Sequence, residues 1–211
     1  MKRIIHIAIY MSFLLLFTTP VYSQNKECNT ILDKIVAEYD NSKGVSANFN
    51  ITTKGNGYNS EVGGKILLKG KMFSFKTPEM ECAYDGETLW TYVINSEEIN
   101  LSIPEEEEIV NINPYLLFKN YKERFKCSLA TKSGDYETIL LTPRHTNDVI
   151  TNIKVTINYK ALYPTKIEIE NKDKTKVIIS VSDYNKNYNL DNSKFIFNEK
   201  NYPNIEIIDL R

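Results

Sequence analysis

Histidine is nearly absent from this chain: 2 among 211 residues, beside 3 Cys and 1 Trp. One of the two, His6, lies in an apolar leader, which leaves His145 as the one imidazole for a folded domain. A His-based triad then has a single candidate base, and no Gly-flanked Ser or reactive Cys motif accompanies it. One His and three scattered Cys do not supply the ligand spacing of a zinc site. Neither GxGxxG nor GxxxxGK(S/T) occurs, so a nucleotide has no cradle. Surplus charge is missing too: the formal net charge is -1, against the Lys and Arg excess that a nucleic-acid binder carries to neutralise phosphates. Long hydrophobic runs are also lacking, since 25% of residues are charged and mean hydropathy is -0.37, which excludes a polytopic membrane protein. The expectation is a non-enzymatic domain with no catalytic residues, no metal and no cofactor.

What the chain does have is aromatics, 14 Tyr and 9 Phe, and a leader. Lys2 and Arg3 precede the stretch Ile4 to Phe17, apolar apart from His6 and Ser12, and the polar exit Thr18-Thr19-Pro20-Val21-Tyr22-Ser23 follows. This reads as a secretory signal peptide, residues 1–23, with cleavage after Ser23. The apolar run is short for a membrane span, which needs ~20 residues, so an uncleaved anchor is the lesser alternative. Cys28 follows Gln24-Asn25-Lys26-Glu27, which is no lipoprotein signal. The mature protein, residues 24–211, is expected to be one domain, soluble in the exported compartment. Cys28, Cys82 and Cys127 allow one disulfide at most, their separations resemble no disulfide scaffold, and free buried thiols are the expectation.

Ile31, Leu32, Ile35, Val36 and Tyr39 recur at helical spacing, and Gly44 supplies a stop. From Val45 the period becomes two: Val45, Ala47, Phe49 and Ile51 alternate with polar residues. Strands are expected at Lys65–Lys69, Met72–Lys76, Met80–Tyr84, Thr88–Ile94 and Glu98–Ile103, separated by turns at Gly63-Gly64, Gly70-Lys71, Thr77-Pro78 and Asp85-Gly86. Connections this short imply antiparallel neighbours. Glu105 to Glu108 read as a solvated loop more readily than as a docking surface, and a helix is entered through Pro114. Strands resume at Phe125–Ala130, Glu137–Leu141, Asn152–Tyr159, Pro164–Glu170, Lys176–Asp183, Lys194–Phe197 and Ile205–Ile208. The result is about a dozen strands with two clear helices.

Some strands are apolar on both sides. Leu67 faces away from Ile66 and Leu68, and in Thr88–Ile94 both Leu89/Val93 and Trp90/Tyr92/Ile94 are apolar sets. Such a sheet must be covered on both faces or line a cavity, and periodicity alone does not separate a plain core from a cavity.

The order of motifs resembles the LolA-type periplasmic outer-membrane lipoprotein carriers. The opening helix leads into Val45-Ser46-Ala47-Asn48-Phe49. Then come Gly64-Lys65-Ile66-Leu67-Leu68-Lys69, Phe73-Ser74-Phe75 before Thr77-Pro78, and Asp85-Gly86-Glu87-Thr88-Leu89-Trp90-Thr91-Tyr92. Asn113-Pro114-Tyr115-Leu116-Leu117, Leu140-Leu141-Thr142-Pro143 and Lys194-Phe195-Ile196-Phe197 with Pro203 complete it. The resemblance implies a mainly β (α+β) fold: a single antiparallel sheet curved into an incomplete barrel around an apolar cavity, covered by a lid of short helices. It implies a monomeric carrier that accepts acylated lipoproteins from an inner-membrane ABC transporter and passes them to an outer-membrane receptor. Matching positions put Phe49, Phe73, Phe75, Met80, Tyr84, Trp90 and Tyr92 in or near the lipid cavity, and Ile31, Ile35, Leu116 and Leu117 in the lid. One departure stands out: better-known members carry a lid-bonding Arg where this chain reads Lys69-Gly70-Lys71-Met72, and Lys71 lacks the bidentate fork of Arg. A lipid-sensing or glycolipid-binding regulatory module of the same fold, and a hydrolase, are the competing classes. The exported protein is expected to begin at Gln24, which an intact mass measurement checks.

Overall fold

The computed structural model describes residues 21–211, with no side-chain placement for residues 21–24, 107 and 111. The leader expected over residues 1–23 therefore lies, up to Pro20, outside the described residues. Helix α1 spans Val21–Asp40. Its stop is set by Gly44, whose φ of +136° suits glycine and whose missing Cβ makes room for Leu190; a methyl group there would sit 2.7 Å from Leu190 Cδ1. Six strands follow: β1 Val45–Gly55, β2 Tyr58–Lys69, β3 Met72–Lys76, β4 Met80–Tyr84, β5 Leu89–Val93 and β6 Glu98–Ser102. Two helices come next, α2 Glu106–Ile112 and α3 Pro114–Arg124. The second half holds β7 Phe125–Ser133, β8 Tyr136–Pro143, β9 Ile150–Asn158, β10 Tyr163–Asn171, β11 Lys176–Asn185 and β12 Glu206–Asp209.

These twelve strands form one open sheet in the order β12-β6-β5-β4-β3-β2-β1-β11-β10-β9-β8-β7. Every pairing among the described residues is antiparallel except β12 with β6, which is parallel. Both halves are meanders, as the short turns imply, and they join where β11 pairs with β1.

Four sequence expectations are corrected. The first hairpin turns at Asn56-Gly57, with φ of 51° and 78°, while Gly63 and Gly64 lie inside β2 opposite Asn50 and Phe49. Asn-Gly takes two left-handed residues readily, which is what a two-residue hairpin loop needs. Glu105–Glu108 is not a loop: Glu105 caps α2 in a capping box with Glu108. Lys194–Phe197 is not a strand, because Asn192–Phe195 forms a 3-10 turn that buries Phe195 completely. Finally, Cys28 on α1 and Cys127 on β7 form a disulfide with Cα atoms 5.9 Å apart, leaving Cys82 as the buried free thiol. Spacing along the chain carried no sign of that pairing, since 99 residues separate the two and only the fold brings them together.

Apolar burial falls into two clusters. Ile31, Leu32 and Ile35 of α1 pack with Phe118, Tyr121, Phe125, Ile139, Leu141, Ile153, Val155, Ile157 and Ile167 over the β7–β10 half. Over the β1–β5 half, Tyr39, Val45, Leu68, Phe73, Cys82 and Tyr84 meet Ile109 and Tyr115 from the short helices. Val36 touches both clusters, so α1 is the shared beam. The disulfide fixes that beam to the sheet edge, and closing so long a loop restricts the unfolded chain strongly. Replacing Cys28 and Cys127 together by Ala is expected to cost about 2–5 kcal/mol in urea unfolding, while Cys82→Ser leaves the disulfide term untouched.

Candidate functional site: a roofed apolar cavity

The concave face of the sheet encloses a cavity of about 460 Å³, within the ~300–1,000 Å³ usual for ligand pockets. Its floor is the inward set of β1 and β2, from Val45, Ala47, Phe49, Ile51 and Thr53 to Ser60, Val62, Ile66 and Leu68. Ile179 and Val181 of β11 form one wall, and Phe75 with Met80 the other. The roof is Ile35 and Tyr39 of α1, Ile112 of α2, and Pro114, Tyr115 and Phe118 of α3. Alternation in β1 explains the floor directly: each inward residue is apolar as far as Ile51, and each outward neighbour is polar.

Phe49, Phe75 and Met80 thus line the cavity, and Ile35 lies in its roof. Phe73 and Tyr84 face the same way but are packed in the cluster beneath the short helices, their rings 5.3 Å apart. Trp90 and Tyr92 are not in the cavity. Register pairs them with Ala83 and Glu81, on the opposite face from Cys82 and Met80. There Tyr92 meets Tyr202 at 4.9 Å, Tyr202 stacks on Phe197 and donates to Glu81, and Ile99 and Leu101 are buried beside them. Lys69 bonds the Leu190 carbonyl and the Asn192 side chain from that same convex face. The apolar convex face of β3–β5 is therefore covered by residues 190–202 of the chain itself.

On the roof, Ile31 packs in the β7–β10 cluster, Leu116 against the other cluster, and Leu117 against the first, so none of these three lines the cavity. Tyr39, Tyr115 and Phe118 do so instead. The aromatic identity of Tyr115 and Phe118, three apart on a helix opened by Pro114, was the available signal.

A polar clasp holds this roof down. Asn113, fully buried, ends α2 and caps α3 by accepting from the Tyr115 amide at 3.1 Å. Its side-chain nitrogen donates to the Gly70 carbonyl at 3.2 Å, and the Tyr39 hydroxyl donates to the same oxygen at 2.9 Å. Tyr39 stacks on Tyr115 at 3.9 Å, and the Tyr115 hydroxyl bonds Asp40 and Lys119. The β2–β3 turn thus receives the helices through its own carbonyl, at the position where the resembling carriers place an Arg donor. Gly70 adopts φ of 56°, a left-handed turn conformation that glycine takes without strain.

The match to known sequences decides the family: the model for outer membrane lipoprotein carrier protein LolA covers residues 19–173. The chain belongs to that family. No curated protein sequence matches it. Among solved structures, an uncharacterized conserved protein from Thermus thermophilus aligns with a TM-score of 0.57 at 8% identity, over 85% of this chain and 97% of that one. A LolA superfamily protein from Nitrosomonas europaea aligns at 0.47 and 15% identity, over 81% and 97%. LprF from Mycobacterium bovis gives 0.45 and 10%, over 80% and 99%. Identities this low speak to fold alone. The LolA match ends before β11, so the covering residues 190–202 lie beyond it.

Burial raises the phenol of Tyr39 well above its ordinary range, with Tyr115 and Tyr184 adding to the effect; it pushes Tyr184 and the Cys82 thiol each up to about 12. The folded state keeps these protons to higher pH than the unfolded chain, so the stability they carry is whole below about pH 9–10 and is lost as pH climbs toward their folded values. Urea unfolding is expected to show stability falling above pH 10, with a smaller fall in Tyr39→Phe, which also loses about 1 kcal/mol with its bond to Gly70.

Proposed function

We propose that the protein is a soluble periplasmic carrier that takes the acyl chains of lipoproteins into this cavity and shuttles them from the inner to the outer membrane. The observation that carries the reading is a roofed, apolar cavity in a chain of the LolA family. At about 0.8 kcal/mol per buried CH2, one long tail represents on the order of 10 kcal/mol that water opposes. Only a cavity with few fixed hydrogen-bond demands takes up such a load and still releases it, and Phe49, Phe75, Ile51, Val62 and Met80 make few. Loading would come from an inner-membrane lipoprotein-releasing ABC transporter and unloading to an outer-membrane lipoprotein receptor. The clasp on Gly70 holds the roof by side-chain hydrogen bonds, which exchange with water at small net cost.

Depleting the protein is expected to leave lipoproteins at the inner membrane, and the purified wild type is expected to carry lipid visible by mass spectrometry. Phe75→Asp should fold, by circular dichroism, yet lose release of lipoprotein from spheroplasts, because a carboxylate in the wall opposes a tail. Normal lipoprotein sorting in the depleted strain would sink the carrier role.

A further inference from the structure

Gly64 has an ordinary strand backbone, so its lack of a side chain is not explained by φ. Space explains it. Phe49 stands directly opposite on β1, and its ring lies over Gly64 and meets that of Phe75 nearly at right angles, ring centres 6.3 Å apart at 85°. A methyl group on residue 64 would meet the Lys76 backbone carbonyl at 2.4 Å, Phe49 Cζ at 2.6 Å and Cε1 at 3.0 Å, so the neighbouring strand and the ring both call for glycine here. The missing side chain lets the largest residue of the cavity floor lie flat.

Where this happens matters. Between Val45 and Phe49 the floor runs four residues, about 13 Å of strand, under Tyr39, Ile112 and Tyr115. Val45, Ala47 and Leu68 are buried there, so this end is closed. Beyond Phe49 the floor becomes half-buried, and Thr53, Ser60, Thr77 and Glu79 join the lining. The closed half is apolar, and the strand that floors it runs nearly the ~15 Å that one lipid tail spans in half a bilayer core. Phe49 sits on the boundary between the two halves.

We propose that the Phe49–Gly64 pair sets the length of tail the cavity accepts: the ring, held flat by Gly64, leaves the passage into the closed half open, and a raised or larger ring shuts it. A tail then enters methyl end first toward Val45, with its polar end beside Thr53, Ser60 and Glu79. The inference rests on the carrier reading and adds to it which residue measures the cargo.

The test uses peptides with an N-terminal Cys acylated by tails from octanoyl to stearoyl, titrated into the full-length exported protein against a bound naphthalene-sulfonate dye. In the wild type, affinity should rise by about fourfold per added methylene until the closed half is filled. Phe49→Trp, which keeps Gly64, and Gly64→Ala should both flatten this rise at short tails and lower the ratio of palmitoyl to octanoyl affinity by roughly tenfold or more, the worth of two methylenes. Adding Phe49→Ala to Gly64→Ala should restore the rise. If Gly64→Ala does not fold, because of Lys76, Phe49→Trp decides alone. A wild-type length profile in Phe49→Trp, or no restoration in a folded double variant, overturns the proposal. A wild type that binds no tail at all overturns the carrier reading with it.

Discussion

A sheet that is apolar on its concave side has to exclude water from that side, and here too few side chains reach inward to fill the space. This mismatch between apolar area and filling volume governs the rest of the molecule. Over β7–β10 the mismatch is removed, since α1 lays Ile31, Leu32 and Ile35 onto Ile139, Leu141, Ile153 and Val155, and the Cys28–Cys127 bond fixes the helix there. Over β1–β4 it persists, because α2 and α3 are short and roof the space without filling it. One sheet therefore has a solid half and a hollow half, and the solid half lets the hollow one stay open. An apolar cavity destabilises a fold by forfeiting packing contacts, and the aromatic stacks of Tyr39 on Tyr115 and Phe73 on Tyr84 limit that loss at the cavity's closed end.

Much of this was legible along the chain. Period-two alternation located β3 and β4 to the residue, and Gly70-Lys71, Thr77-Pro78 and Asp85-Gly86 marked true turns, because those dipeptides answer a local backbone demand. Asn113 before Pro114 marked α3 for the same reason. What escaped was non-local. Gly63-Gly64 imitates a turn, yet Gly64 serves a ring on a neighbouring strand. Trp90 and Tyr92 carry the residue types of a lipid pocket, but the face they occupy depends on register and on a covering segment a hundred residues away. Of the roof, only Ile35 was placed, since Leu116 and Leu117 are the more hydrophobic residues while Tyr115 and Phe118 are the ones that helix phase turns inward.

The two faces of β3–β5 also divide the labour of the aromatics. Inside, Phe75 stands against open volume, free of hydrogen-bond demands. Outside, Tyr92, Phe197 and Tyr202 form a closed stack from which the Tyr202 hydroxyl reaches Glu81. The family match covers the inside apart from its β11 wall and stops before the outside cover. Burying the outer aromatics with the chain's own C-terminal region leaves the concave face, among the described residues, as the large apolar surface of the sheet open to an incoming molecule.

The parallel pairing of β12 with β6 sets an order of assembly. A chain made from N to C completes β1–β6 long before residues 190–209 exist, so Trp90, Ile99 and Leu101 remain wet on a sheet whose edge at β6 is bare. Antiparallel hairpins can close as they emerge, but this last ladder joins segments about a hundred residues apart and carries the loop-closure cost of that distance. Until the final strand docks, β6 is an exposed β edge beside an apolar face, the combination that invites aggregation and proteolysis.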